Sequence, residues 1–339
     1  MLYVTTRNAQ EHYTPAYTLR DSRSKDGGFF VPFHVPVFSD EEIRNMHGAA
    51  FGQCVAEVIN RLFQTQLTGW DIEFAIGRYP VRLRPLGHRI WVAETWHNIH
   101  WNFDHVVSKI AALIDKNGYP QSAWVGTAVR AAVLFGIYSE LSSSGSQPMD
   151  VSVASREESF PMSVWYARQW GLPIGNIVCS CSEDSGIWNL ITYGQMRMGE
   201  GSGAAEADQE SGTLDSVEQL LFVCGGSDET AHFLDSQKRR QLYTPTSDTV
   251  FNHLQQGVFA SPVSKQRIMD TIPAVFRTHG CLIDPVTSWA YSGLLDYRAR
   301  TGIIRPSVII SENSPVYSIS TITEATGFTE EEVRRILDM

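Results

Sequence analysis

The chain has 339 residues, 27 Lys+Arg against 37 Asp+Glu, and a formal net charge of −10. That length suits roughly two domains and buries enough surface to fold without disulfide or metal. The acidic balance argues against nucleic acid and anionic membranes as partners. No run approaches the ~20 apolar residues of a spanning helix, and the polar start MLYVTTRNAQEHYT does not read as a signal peptide. The five cysteines, Cys54, Cys179, Cys181, Cys224 and Cys281, are odd in number and scattered. They suit reduced thiols, hence a cytoplasmic protein.

In chain order, residues 1–38 read as turns and short extended pieces broken by Asp26-Gly27-Gly28 and prolines. Ser39 with Glu42 three residues on is a capping box, opening a helix through Met46, Phe51, Val55, Ile59 and Leu62. Ile90–Glu94 reads as a buried strand. Asn102 or Asp104 caps a helix through Val106, Ile110 and Ile114, stopped by Asn117-Gly118. A second helix spans Ala123–Leu141. Val151–Val153 (strand), Pro161–Trp170 (helix) and Asn176–Ser180 (strand) follow in a β-α-β rhythm that predicts parallel strands with right-handed crossovers. Residues 199–212, GEGSGAAEADQESG, have the composition of a loop. The last third reads as mostly helical, with a strand at Val308–Ile310 and a terminal helix from Thr329.

Several segments resemble the threonine synthase family in order along the chain. They are Asp26-Gly27-Gly28-Phe29-Phe30-Val31-Pro32, Phe38-Ser39-Asp40-Glu41-Glu42-Ile43, Pro85-Leu86-Gly87 and Glu94-Thr95-Trp96-His97. Further on come Ala167-Arg168-Gln169-Trp170-Gly171-Leu172-Pro173-Ile174, Glu218-Gln219-Leu220-Leu221-Phe222, Leu282-Ile283-Asp284-Pro285-Val286-Thr287 and Thr301-Gly302. The resemblance implies a pyridoxal-phosphate (PLP) enzyme fold of type II, a parallel sheet flanked by helices. It implies an N-terminal domain over 1–90 and a reduced fold-type-II domain over 91–339. It also implies chemistry in which O-phosphohomoserine exchanges its phosphate for a hydroxyl.

Three departures set the expected chemistry apart. The family's F-H-G-P-T-x-A-F-K-D carries the lysine that forms a Schiff base with PLP; here the run is Trp96-His97-Asn98-Ile99-His100-Trp101-Asn102-Phe103-Asp104-His105. Asp104 stands in the lysine's place, and a carboxylate forms no Schiff base. Lys109 lies five positions on, on another helix face. The chain has only four other lysines, Lys25, Lys116, Lys238 and Lys265. The family's glycine-rich phosphate loop, P-T-G-N-F-G, needs bare backbone N–H groups close to the anion. Its ungapped counterpart is Ala154-Ser155-Arg156-Glu157-Glu158-Ser159, without glycine and with two carboxylates. No S-G-D-T-G loop occurs, and the small domain that carries it is expected to be missing between Asn117 and Ala123. Glu312-Asn313-Ser314-Pro315 replaces the family's T-A-H-P.

The densest cluster of chemistry-bearing side chains is His97, His100, Asp104 and His105, interleaved with Trp96 and Trp101. His97, His100 and Asp104 could form a zinc or non-haem iron set, although the spacing fits no strong metal motif. A vestigial small-molecule pocket and plain packing are the other readings. Cys179-Ser180-Cys181 lies on an alternating strand, and its cysteines read as structural. Ser155 and Ser159 have no nucleophile elbow.

The expectation is a threonine synthase-like pseudoenzyme without PLP, acting through binding or assembly. A small polar ligand, a second copy, or a related enzyme would be its partner. The alternative is an active enzyme, either a divergent PLP-dependent lyase or a repurposed His/Asp pocket. In either case Trp96, His97, His100, Asp104, His105, Ser155, Arg156, Glu157, Glu158, Ser159 and Glu312 are expected around one concave site. Open α/β sheets place ligands at the carboxyl ends of their strands.

Overall fold

The computed structural model describes residues 1–77, 81–96, 103–115, 123–141, 147–155, 161–198 and 207–337, with backbone alone for 103 and 207–214. At the N-terminus β1 (Tyr3–Thr5) pairs antiparallel with β2 (Phe30–Pro32), around the one-turn helix α1 (Pro15–Thr18). Asp26 closes the intervening loop, its carboxylate accepting from Gly28 N at 2.8 Å and Thr5 Oγ1 at 2.6 Å. Three helices follow, α2 (Asp40–Met46), α3 (Phe51–Phe63) and α4 (Gly69–Ile76).

The capping box at Ser39 and Glu42 is present. The single helix expected from Ser39 to Leu62 is instead two, α2 and α3. The chain leaves the helix at His47, and Gly48 at φ +71° turns it in a conformation that glycine adopts without a Cβ penalty.

The second sheet has six strands: β3 (Arg82–Pro85), β4 (Ile90–Glu94), β5 (Met149–Ala154), β6 (Ile174–Cys181), β7 (Val258–Pro262) and β8 (Ser307–Ser311). Their order is β3-β4-β8-β5-β6-β7, antiparallel between β3 and β4 and parallel everywhere else. The helices are α5 (Phe103–Ile114), α6 (Ala123–Leu141), α7 (Met162–Gln169), α8 (Gly186–Tyr193), α9 (Ala207–Arg239, broken at Gly226), α10 (Asp248–Gln255), α11 (Lys265–His279), α12 (Pro285–Thr301), α13 (Ile319–Thr326) and α14 (Glu330–Leu337). This is the α/β architecture, a mostly parallel sheet flanked by helices, that the sequence rhythm predicts. The edge strands β3 and β7 are additions to that reading. Among the described residues no helix is long and apolar enough to cross a membrane.

Strand alternation divides the core. Ala93, Ile177, Cys179 and Val308 face a large core shared with α3, α6 and α7, while Val92, Val178 and Ile309 face a second core under α11 and α12. Helix α6 is apolar nearly all round and correspondingly buried. Its Trp124 ring meets Tyr3, Tyr166 and Trp170 edge-on at 5.6, 5.3 and 6.3 Å, tying the N-terminal strands to the large core.

Ile114 and Ala123 leave eight residues between α5 and α6, of which only Asp115 is described. Eight residues fall far short of the ~40 that a self-standing lobe needs, so an inserted small domain has no room there. Of the loop expected over 199–212, residues 199–206 lie outside the described residues, but 207–212 are helical and begin α9. Ala207, Gln209 and Glu210 are strong helix formers, a local preference that low complexity conceals.

Helix α12 lies so close to β6 that a Cβ on Gly293 would clash with Ser180 Oγ, a buried hydroxyl without a hydrogen-bond partner among the described residues. Gly293→Ala should therefore cost about 1–3 kcal/mol in urea unfolding by overpacking. Ser180→Ala alone should be neutral or slightly stabilising, because it removes an unsatisfied buried hydroxyl. The double variant should recover part of the Gly293→Ala loss; strict additivity would contradict this packing.

Candidate functional site

A cavity of about 320 Å³ opens at the carboxyl ends of β4, β8 and β5, where Thr95, Ile310, Glu312, Val153 and Ala154 line it. Parallel topology brings these positions together, because every strand of that group ends on the same side of the sheet. Helix α6 forms one wall with Thr127, Arg130, Val133, Leu134 and Ile137, and the first turn of α7 forms another.

Beneath the cavity the polar groups are mutually satisfied. Thr95 donates its hydroxyl to Ser311 O at 3.0 Å, and Trp96 Nε1 donates to Ser311 Oγ at 3.1 Å. Thr287 Oγ1 lies 2.8 Å from Ser311 Oγ and is bonded to the buried Asp284 carboxylate. That carboxylate caps α12 by accepting from Val286 N and Thr287 N. Pro285 follows at the first position of the helix, where its missing N–H costs nothing.

Arg130 is the one basic residue on α6. Its Nη2 donates to Asp104 Oδ1 at 2.5 Å, and its Nε faces Glu312 Oε1 at 3.9 Å, an ion pair without a hydrogen bond. One guanidinium thus stands between two carboxylates, one from the start of α5 and one from the end of β8. Arg130 belongs to no sequence motif. A single cation within an otherwise apolar helical stretch is the signal that would have found it, since such a charge must reach water or a partner.

The opposite wall comes from the described start of α9, where Ser216 and Gln219 line the cavity. The other face of the same turn is clamped to the N-terminal region. Buried Glu218 accepts from Thr6 Oγ1 at 2.5 Å, Arg7 Nε at 3.1 Å and Arg7 Nη2 at 3.0 Å, while Asp215 pairs with Arg23. Hydrogen bonding to Glu218 holds the Arg7 guanidinium above its usual pKa, and burial pushes the Asp215 carboxyl up against the opposing pull of Arg23. The glycine pair in the loop matters here, since a Cβ on Gly27 (φ +77°) would lie 2.7 Å from Arg7 Nη1.

Of the predicted site residues, Asp104 and Glu312 meet at Arg130, and Trp96 is buried beside the cavity-lining Thr95. His105 is exposed on α5 and does not line the cavity. Ser155 is buried just behind the cavity-lining Ala154, its amide donating to Ser180 O at 2.7 Å. His97, His100, Arg156, Glu157, Glu158 and Ser159 lie outside the described residues. Ala154 and Pro161, which bracket residues 155–160, both line the cavity. Among the described residues no three His, Cys, Asp or Glu side chains converge into a cation site. Cys179 is buried, its thiol raised by desolvation, as expected of a structural cysteine.

Residues 2–78 match the family described as threonine synthase N terminus. No curated protein sequence matches the chain. A PLP-bound threonine synthase of Brucella melitensis superposes with a TM-score of 0.82 at 14% identity, over 100% of this chain and 94% of that one. The yeast threonine synthase gives 0.78 at 10% identity, covering 98% and 91%, and the Escherichia coli threonine synthase 0.68 at 13%, covering 99% and 94%. The chain is threonine synthase-like in its N-terminal segment and in its whole fold.

The Arg130–Asp104 pair is solvent-accessible, with side-chain exposures of 28% and 73%. Arg130→Gln should therefore change stability by less than about 1 kcal/mol in urea unfolding. A loss of several kcal/mol would mean that Arg130 is a structural anchor and not a cavity group.

Proposed function

We propose that this threonine synthase-like protein holds no covalent PLP and uses its cleft to bind a small polar ligand rather than to convert one. The observation that carries this reading is the ion pair between Asp104 and Arg130 at the cavity. By the resemblance above, Asp104 occupies the position of the family's Schiff-base lysine. A carboxylate there satisfies a guanidinium and leaves no amine for an aldehyde.

Covalently held pyridoxal would need a lysine amine inside the cleft. Lys25, Lys109, Lys238 and Lys265 are all exposed, none lines the cavity, and Lys116 lies outside the described residues. Lys109 follows Asp104 by five residues on α5, about 140° round the helix. The described side chains do not fit a covalently bound pyridoxal group. Around a solvent-open space they offer instead the Arg130 guanidinium, the Glu312 carboxylate and the polar groups of Thr95, Thr127 and Gln219, with Asp104 bonded to Arg130 from outside the lining. That set can orient a small polar molecule through charge-assisted hydrogen bonds.

The purified protein should remain colourless with added pyridoxal phosphate, and borohydride should fix no cofactor to it. It should also release no phosphate from O-phosphohomoserine. Asp104→Lys alone should stay colourless too, because Ser155–Ser159 contains no glycine to admit a phosphate group close to the backbone. A pyridoxyl-lysine peptide from either protein after reduction would refute the proposal.

A further inference from the structure

The polar groups that line the cavity have their donors largely engaged and their acceptors open. Thr95 Oγ1 donates to Ser311 O at 3.0 Å, Thr127 Oγ1 to Ala123 O at 3.1 Å, and Gln219 Nε2 to Asp215 O at 3.4 Å. Arg130 Nη2 donates to Asp104, which reaches it from outside the lining. What these groups retain is accepting capacity, in the hydroxyl lone pairs and the Gln219 carbonyl. The Ser163 and Ser216 hydroxyls can serve either way.

Glu312 is the charged lining group with the most capacity to spare. It follows directly on β8, whose last residue is held in place. Ser311 O accepts from Thr95 N and Thr95 Oγ1, each at 3.0 Å, and Ser311 Oγ accepts from Trp96 Nε1 at 3.1 Å. The Glu312 side chain is 34% exposed and accepts no hydrogen bond among the described residues; Arg130 Nε, at 3.9 Å, lies beyond bonding distance. Asp104 and Glu312 against Arg130 leave one uncompensated negative charge, on a chain whose formal net charge is −10.

The two helices that begin at the cavity do not reverse this balance. Each N-terminus carries about half a positive charge. The first amides of α12 are taken by the Asp284 carboxylate, and α7 opens behind Pro161, which has no N–H. The remaining wall is aliphatic: Val133, Leu134 and Ile137 of α6 with Val153, Val286 and Ile310. Its volume of about 320 Å³ is at the small end of ligand pockets. Among the described residues no aromatic ring lines it, so the cage that suits a quaternary ammonium is missing, and no three potential ligands converge on a metal ion.

Resting on the reading of this cleft as a binding site, we infer that its ligand is a primary ammonium ion on a short aliphatic body, the head on Glu312 and the body against α6 and β8. An ammonium offers three donors and no acceptor, the complement of this lining. A carboxylate or phosphate would meet Glu312 and would have to take Arg130 from Asp104. A neutral alcohol would leave the Glu312 charge unanswered.

The test is a ligand-observed NMR titration of the full chain at neutral pH with hexylamine, 1-hexanol and hexanoate, which share one body and differ in the head. Hexylamine should bind about tenfold more tightly than 1-hexanol, as expected of hydrogen bonds to a charged group, and hexanoate should not bind. Butylamine should bind about 15-fold more weakly than hexylamine, at about fourfold for each buried methylene. Glu312→Gln should erase the preference for amine over alcohol. Glu330→Gln, at the exposed start of α14, should leave it intact, which separates the cleft from diffuse attraction to an acidic protein. Arg130→Gln should tighten hexylamine by up to about fivefold, because it removes the opposing cation. Absence of hexylamine binding would overturn the inference. Equal or tighter binding of 1-hexanol or hexanoate, or an amine preference that survives in Glu312→Gln, would also overturn it, while leaving a cleft that binds small molecules. A pyridoxyl-lysine peptide, by contrast, would overturn the underlying reading.

Discussion

A helix that is apolar on nearly every side has to be buried, and α6 imposes that condition on everything around it. Its flanks are filled by α3, α7 and the rings of Tyr3, Tyr166 and Trp170, which locks the N-terminal strands to the sheet. Gly136 lets Phe51 of α3 approach so closely that a Cβ there would lie 2.6 Å from its ring. The one guanidinium on this helix, Arg130, is only partly buried and faces an opening beside the sheet. That place is the cavity, and Arg130 draws Asp104 from α5 and Glu312 from β8 toward it.

The cavity also explains how the N-terminal region bears on the site without lining it. Thr6, Arg7 and Arg23 hold Glu218 and Asp215, and the same turn of α9 presents Ser216 and Gln219 to the cavity. The loop Asp26-Gly27-Gly28 therefore acts on the site at one remove, by leaving space for Arg7.

Local signals in the chain translated well where they acted locally. The Ser39–Glu42 capping box, the limits of α6, and the apolar strands β5, β6 and β8 were all legible, because each depends on neighbours within a few residues. The break between α2 and α3 was hidden by the apolar residues running across it, and it depends on one positive φ at Gly48. Strand β3, with arginine at two of its four positions, exists because β4 offers it a ladder. The helical start of α9 was masked by a composition that reads as a loop. Asp104 and Glu312 were legible as site residues only through the resemblance, which supplied the positions to inspect. Arg130 belongs to no motif, and its two carboxylates come from α5 and the end of β8, which only the topology unites.

Asp104 engages Arg130 at the position where the resemblance would put the family's Schiff-base lysine. The most direct test of the proposed reading is a crystal structure determined after soaking with pyridoxal phosphate. The expected result is an Asp104 carboxylate still bonded to Arg130 and no density joining any lysine to the cofactor. Continuous density from Lys109 or Lys116 into the cavity would contradict it.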